Sequence, residues 1–136
     1  TLGEWKLNGS STACFVESNK GNSHTGNWTY KYWLGKGFKS ILTRDFTNLK
    51  NGTYVFSLWA MGGGGENNIM IFATGHDSSN KAKQVQTKVV NTGWQNWVQY
   101  EVEVPVTSGQ ATIGIYLDTN PGNWGNFDDV EFYLSE

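Results

Sequence analysis

Short runs of β-branched and aromatic residues recur along the whole chain, separated by glycine, asparagine and aspartate. Nine such runs span residues 13–17, 28–33, 38–46, 54–61, 69–74, 84–90, 97–104, 111–117 and 129–134. Turn-forming pairs such as Asn51-Gly52 lie between them, and the 3.6-residue period of amphipathic helices is nearly absent. This spacing predicts an all-β fold, a two-sheet antiparallel β-sandwich of the jelly-roll type. Because no linker or internal repeat interrupts the runs, we expect one domain over residues 1–136.

Alternation within the runs predicts which side chains face the core, because successive side chains of a strand point to opposite faces. The predicted inward residues are Trp28, Tyr30, Tyr32, Tyr54, Phe56, Leu58, Ala60, Val98, Tyr100, Val102, Val104, Ile113, Ile115 and Leu117. The predicted outward residues include Lys31, Trp33, Trp59, Trp97, Gln99, Tyr116 and Asp118.

The outward set is unusually aromatic for a surface in contact with water. Aromatic residues make up 15% of the chain, with seven Trp among them. An aromatic ring can cover the apolar C–H face of a pyranose, while Asn, Gln, Asp and Lys hydrogen-bond its hydroxyls. The outward face therefore predicts a binding surface for a polysaccharide. The alternative for any single Trp is that a loop or another strand covers it.

The charge pattern argues against several other ligands. Only 16% of the residues are charged and the net charge is −2, so the chain lacks the basic field that holds nucleic acid or an anionic membrane surface. There is no run of about 18 apolar residues of the kind that crosses a bilayer. The lone Cys14 lies in an apolar run and is expected to be a small buried side chain.

Signals for catalysis are weak. His24 and His76 are far apart in the sequence, and there is no Gly-x-Ser-x-Gly nucleophile motif. Carboxylates such as Glu101, Glu103, Asp118 and Asp129 would need to pair about 5–10 Å apart to act as a glycosidase. Acidic residues on exposed strands are usually solvated, so we expect no enzymatic activity.

Asp128 immediately precedes the last run, and alternation groups it with Val130, Phe132 and Leu134 and so predicts that it points inward. A buried carboxylate needs compensation. A bound Ca²⁺ would supply it, and so would hydrogen bonds from backbone amides; the residues alone favour neither.

Four parts of the sequence resemble a known family. These are residues 22–28 (NSHTGNW), residues 49–54 (LKNGTY) followed by Trp59, the single Trp97, and residues 125–130 (GNFDDV). In order, they resemble the pattern of Ca²⁺-containing β-sandwich carbohydrate-binding modules, which include xylan-binding and β-glucan-binding members. The chain is most similar to carbohydrate-binding module family 61, which accompanies bacterial endo-β-1,4-galactanases and binds β-1,4-galactan. The similarity extends from about Trp5 to the end.

The resemblance implies a calcium site and a ligand cleft. It implies that Asp128 ligates one structural Ca²⁺, and that the loop carbonyls of Thr25 and Asn27 contribute. Family members also have an N-terminal Asn-Pro-x-Phe-Glu strand whose Glu helps to bind the ion, and this sequence has no such segment. By the same resemblance, Trp59 and Asp118 would lie together in the concave cleft.

Together these observations predict a non-catalytic module that binds plant cell-wall polysaccharide, specifically β-1,4-galactan. Trp59, Trp33 and Trp124 would stack on sugar rings, and Asp118, Gln99, Lys31 and Asn123 would bind hydroxyls. The module would be a monomer within a secreted bacterial hydrolase, tethering its covalently linked catalytic domain to the substrate. The alternatives are binding of xylan or β-glucan, or a protein-binding adhesion sandwich.

Overall fold

The computed structural model of the protein describes residues 2–135, which form ten β-strands and one short 3₁₀ helix. The strands are β1 Lys6–Asn8, β2 Cys14–Ser18, β3 Trp28–Trp33, β4 Lys39–Phe46, β5 Gly52–Gly62, β6 Asn68–Thr74, β7 Val85–Lys88, β8 Gly93–Val106, β9 Ala111–Asp118 and β10 Trp124–Leu134, and the 3₁₀ helix is Lys20–Asn22. Each of the nine predicted runs overlaps a strand. The sequence did not predict β1, because three residues are too few to show alternation.

The strands form two five-stranded antiparallel sheets that pack face to face, so the predicted β-sandwich is confirmed. The first sheet has the order β1-β4-β9-β6-β7 and the second has the order β2-β3-β10-β5-β8. β10 is thus the central strand of the second sheet, and β2 and β8 are its two edges. No helix among residues 2–135 is long and apolar enough to cross a lipid bilayer.

The core lies between the sheets and uses the residues that alternation predicted for β5 and β9. Tyr54, Phe56, Leu58 and Ala60 from β5 are buried there, together with Ile113, Ile115 and Leu117 from β9. Burying a side chain of this size contributes about 1.5–3 kcal/mol. These two strands therefore provide much of the apolar contact between the sheets.

Two predicted core residues are exposed, and Tyr100 is only partly buried. Trp28 is 61% exposed and Val98 is 37% exposed, although both have the inward phase of their strands. Trp28 is the first residue of β3, and Val98 lies toward the beginning of the edge strand β8. At the beginning of a strand or at the edge of a sheet, the opposite sheet does not cover every side chain that points toward it. Such a side chain can therefore stay exposed. Tyr30, Tyr32, Val102 and Val104 are buried as predicted.

A β-bulge reverses the phase of β10 in its middle. From Asp128 to Glu131, β10 advances three residues while its partner β5 advances two, from Trp59 to Ser57. Asp129 takes up the extra residue with a left-handed φ of 52°. The prediction that Asp128 points inward is therefore wrong: Asp128 lies opposite the outward Trp59, while Phe127 before the bulge is in the core.

Candidate functional site

Four tryptophans point outward from the second sheet, and we call this surface the tryptophan face. They are Trp33 on β3, Trp124 on β10, Trp59 on β5 and Trp97 on β8. Trp33 lies directly opposite Trp124 in the β3–β10 pair, and Trp59 lies opposite Gln99 in the β5–β8 pair. The predicted outward orientation of Trp33, Trp59 and Gln99 is confirmed by this register.

One end of the tryptophan face is open to solvent. Trp33 is 49% exposed, and its cross-strand neighbour Trp124 is half-buried at the start of β10. The indole of Trp124 packs on Gly63 so closely that a Cβ there would lie 2.5 Å from Trp124 Nε1. A Cβ at position 63 would therefore displace the ring. Lys31, two residues before Trp33 on the same strand, ion-pairs with Glu17 at 3.5 Å.

The other end of the face is covered by His24. Its imidazole stacks on Trp59 with ring centroids 4.2 Å apart and an interplanar angle of 16°. Trp97 lies at 5.3 Å from the same imidazole, and His24 Nδ1 is 2.6 Å from Asp129 Oδ2. In this conformation the His24 imidazole covers the face of the Trp59 ring on which it stacks. The alternation pattern does not predict that His24 is part of the face, because His24 lies in a loop, although it belongs to the first segment that carries the family resemblance.

Asp128 fastens the loop that carries His24 to the sheet. Its Oδ2 accepts hydrogen bonds from the backbone N–H groups of His24 at 2.8 Å and Thr25 at 3.1 Å. Its Oδ1 accepts from the backbone N–H of Asp129 at 2.8 Å, and Thr25 Oγ1 donates to Asp129 Oδ1 at 2.5 Å. This is the hydrogen-bonded alternative that the sequence left open.

Two of the three residues predicted to ligate calcium make hydrogen bonds within the protein through the predicted ligand atoms. Both carboxylate oxygens of Asp128 face N–H donors, and the Asn27 carbonyl accepts from Asn19 N at 2.8 Å. Residues 2–135 contain no cluster of three His, Cys, Asp or Glu side chains placed to hold a metal ion. Calcium binding stays a prediction.

A chain of polar contacts crosses above the tryptophan face. Trp94 Nε1 on β8 donates to Asn22 Oδ1 at 3.0 Å, and Asn22 Nδ2 donates to Glu17 Oε2 on β2 at 3.5 Å. Because β8 and β2 are opposite edges of the sheet, this contact chain spans its full width. We call the Trp94–Asn22–Glu17 contacts the bridge.

Asp118 and Tyr116 belong to the other side of the molecule. Both lie on β9 in the first sheet and point away from the core, so the whole sandwich separates them from Trp59. The expectation that Trp59 and Asp118 share one cleft is therefore wrong. Alternation separates inward from outward residues, but it does not say from which sheet an outward residue points.

The remaining predicted hydrogen-bonding residues differ in how available they are. Gln99 is exposed beside Trp59. Asn123 is used within turns, because its Oδ1 accepts from Asn120 N at 2.6 Å and its Nδ2 donates to the Gly64 carbonyl at 3.2 Å. Asn123 thus shapes the turn before β10 instead of presenting a free amide.

The two-sheet arrangement is the fold of the β-sandwich carbohydrate-binding modules. Among solved structures, the chain is similar to TmCBM61, seen in complex with β-1,4-galactotriose, with a TM-score of 0.88 and 23% identity over 98% of this chain and 90% of that one. At this identity the similarity establishes the fold. The resemblance found in the sequence is thus confirmed as far as the fold is concerned.

Two further solved structures share the fold. The xylan-binding CBM22-1 domain of Paenibacillus barcinonensis Xyn10C has a TM-score of 0.67 and 12% identity, over 96% of this chain and 86% of that one. The K1 cleaved adhesin domain of Lys-gingipain from Porphyromonas gingivalis W83 also has a TM-score of 0.67, with 14% identity over 98% of this chain and 92% of that one. No protein-family model matches the sequence, and no curated protein is detectably similar to it.

Proposed function

We propose that this chain binds a β-linked cell-wall polysaccharide on its tryptophan face without cleaving it. The observation that carries the proposal is the exposed Trp33, which is paired across strands with Trp124 and is preceded on the same face by Lys31. An indole that is half exposed on a flat strand provides a surface on which a pyranose ring can stack. A cationic side chain and amides beside it can bind the hydroxyls at the ring's edge.

The covered state of Trp59 supports a first contact at the Trp33 end. A sugar ring can reach Trp33 without any movement of the protein, whereas it reaches Trp59 only if His24 leaves its stacked position. We therefore assign Trp33 and Trp124 as the primary platform and Trp59 as a second one that opens when the loop moves. A few stacked rings, less the cost of ordering a flexible ligand, correspond to micromolar binding, about −8 kcal/mol.

For the ligand itself we propose β-1,4-galactan. The similarity in fold to TmCBM61, which was seen with β-1,4-galactotriose, supports this choice over xylan or β-glucan. The biological role would be to hold a covalently linked hydrolase close to insoluble substrate outside the cell, which raises effective concentration without any chemistry in this domain. The module would act as a monomer, with or without a structural calcium ion.

The test is titration calorimetry with oligosaccharides of β-1,4-galactan, xylan, mixed-linked β-glucan and cellulose. We expect micromolar binding of the galactan oligosaccharide and an affinity at least tenfold lower for Trp33→Ala, equivalent to about 1.4 kcal/mol. Trp28→Ala is the matched control, because Trp28 is exposed on the same strand but has the opposite phase. Its affinity should stay within twofold of the wild type.

Other outcomes separate the alternatives. Binding of xylan or β-glucan alone would contradict galactan as the ligand but would be compatible with binding on the tryptophan face. Unchanged affinity in Trp33→Ala would contradict the tryptophan face as the binding surface. If no glycan binds, the second candidate is a protein-binding sandwich, which the similarity to an adhesin domain favours. The protein-binding function would be supported by a bound protein partner that free oligosaccharide cannot displace. Release of reducing ends from galactan would contradict the non-catalytic assignment.

A further inference from the structure

The centre of the tryptophan face contains a buried amide with no hydrogen-bond partner. Asn126 lies on the central strand β10, between Lys31 on β3 and Met61 on β5. The register gives its side chain the outward phase shared by Trp124 and Lys31, yet the residue is 0% exposed. Neither its Oδ1 nor its Nδ2 has a partner within residues 2–135.

An amide in this position works against the stability of the fold. Buried polar groups in folded proteins are nearly always paired, because an unpaired one has lost its hydrogen bonds to water without replacement. An apolar side chain of similar size would fill the same space without that cost. The unpaired amide therefore requires an explanation other than packing.

The beginning of β8 makes two contacts on the tryptophan face, one to β5 and one to the loop after β2. From the β8 side, Gln95 N lies 3.1 Å from the sulfur of Met61, the strand neighbour of Asn126. From the β2 side, the loop that carries Asn22 meets Trp94 in a single hydrogen bond of 3.0 Å. Trp94 itself is 58% exposed. The bridge lies outside the core, so opening it would leave the packing between the two sheets intact.

We propose that Asn126 is a specificity-determining residue of the binding face, which hydrogen-bonds sugar hydroxyls once the bridge opens. The inference rests on the proposed function. Trp124 lies two residues before Asn126 on the same face, about 7 Å along the strand. A sugar stacked at Trp33 and Trp124 would therefore bring the hydroxyls of its neighbour over Asn126. An amide accepts through Oδ1 and donates through Nδ2, so it can bind two adjacent hydroxyls in one orientation.

The first experiment compares Asn126→Leu with the wild type by thermal unfolding and by calorimetry with a β-1,4-galactan oligosaccharide. We expect an equal or higher melting temperature and an affinity at least tenfold lower. Asn8→Leu, an exposed amide on β1 of the first sheet, is the control and should bind like the wild type. An Asn126→Leu variant that binds within twofold of the wild type would overturn the inference and leave the proposed function standing.

A second measurement needs no variant. The side-chain amide resonances of Asn126, followed by NMR in the wild type, should shift on titration with the same oligosaccharide, as should the indole N–H of Trp94 when the bridge opens. If the ligand binds but the Asn126 amide does not shift, the inference fails even if Asn126→Leu does not fold. If no glycan binds the wild type at all, the proposed function fails and the inference fails with it.

Discussion

At the scale of single residues, Asp128 contributes most to the arrangement of the tryptophan face. Its carboxylate accepts from three backbone N–H groups, those of His24, Thr25 and Asp129, and so holds the loop that places His24 on Trp59. Hydrogen bonds to a charged acceptor are worth about 1.5–3 kcal/mol each, and leaving their donors unpaired costs free energy as well. Partial exposure of the loop lowers these values.

We therefore expect Asp128→Ala to lower the free energy of unfolding by about 1.5–3 kcal/mol, measured by urea denaturation. Glu131→Ala, an exposed carboxylate on the same strand, should change it by less than about 0.5 kcal/mol. EDTA distinguishes the two roles proposed for Asp128. A wild-type melting temperature that falls with EDTA, with one equivalent of calcium by elemental analysis, would support the ion. If EDTA does not change the melting temperature and the protein contains no calcium, the hydrogen bonds alone explain the effect of Asp128 on stability.

Single residues also show how far the sequence could predict the site. Alternation correctly placed Trp33 and Trp59 outward, because an antiparallel strand with one buried face has a period of two. It could not predict that His24 would cover Trp59, since that contact joins a loop to a strand far away in the sequence. Asn126 was missed because the last strand was predicted to begin only at Asp129.

At the scale of elements, the spacing between β9, β6 and β4 depends on the absence of a side chain at Gly114. A Cβ there would lie 2.4 Å from the ring of Phe72 on β6 and 3.0 Å from the carbonyl oxygen of Leu42 on β4. Gly114 thus lets Phe72 lie flat across the outward face of the first sheet, where the ring is only 8% exposed. Glycine is required at position 114 because Phe72 and the Leu42 carbonyl approach it closely, and not because of its backbone φ.

Gly114→Ala should reduce stability by about 1–3 kcal/mol, because Phe72 must leave its position. Gly35→Ala is the matched control, as a Cβ at Gly35 meets nothing within 4 Å. In a Phe72→Ala background the effect of Gly114→Ala should shrink, and calorimetric unfolding of the four proteins would measure the coupling. Additive effects of the two substitutions would contradict the proposed clash.

The bulge in β10 is the element that sequence reasoning could not foresee. Without it, Asp128 would share the phase of Phe132, whose partner Phe56 is in the core. Because of the extra residue at Asp129, Asp128 and Phe132 point to opposite faces of the sheet, and the Asp128 carboxylate faces the loop that carries His24. The signal in the sequence, an Asp-Asp pair before an apolar run, is compatible with either phase.

At the scale of the whole molecule, His76 connects the two sheets. It follows β6 of the first sheet, and its carbonyl accepts from Thr107 N at 2.8 Å and Ser108 N at 3.2 Å, just beyond β8 of the second. Its imidazole is fully buried, and both ring nitrogens lack a partner among residues 2–135. Burial lowers the pKa of His76, an effect that the nearby Asp77 partly offsets.

This burial makes stability depend on pH. In the unfolded chain His76 takes up a proton below its ordinary pKa of 6.5, whereas the folded protein resists protonation until the pH is lower. The stability that the neutral imidazole contributes is therefore fully present above about pH 6.5. It falls as the pH drops below that value and is lost once the pH has passed the lower pKa of the folded state, at a slope of at most about 1.4 kcal/mol per pH unit. Urea unfolding between pH 5 and 8 measures it.

His76→Phe should flatten this dependence, because a ring of similar shape carries no titrating group into the buried site. His24→Gln removes the other histidine and serves as the matched control. If the pH dependence disappeared in His24→Gln and persisted in His76→Phe, the assignment to His76 would be wrong. Equal loss in both would also contradict it.

The sequence by itself determined the fold class, the positions of nine strands and the inward or outward phase of most strand residues. It did so because burial on one side of a strand imposes a local pattern with a period of two. Only the tertiary structure decided which outward residues lie together. Asp118 and Trp59 point from different sheets, His24 covers Trp59, and Asn126 is buried on the tryptophan face without a hydrogen-bond partner among residues 2–135. Each of these relations depends on contacts between residues far apart in the chain, or on a bulge, and such contacts leave no periodic signal in the sequence.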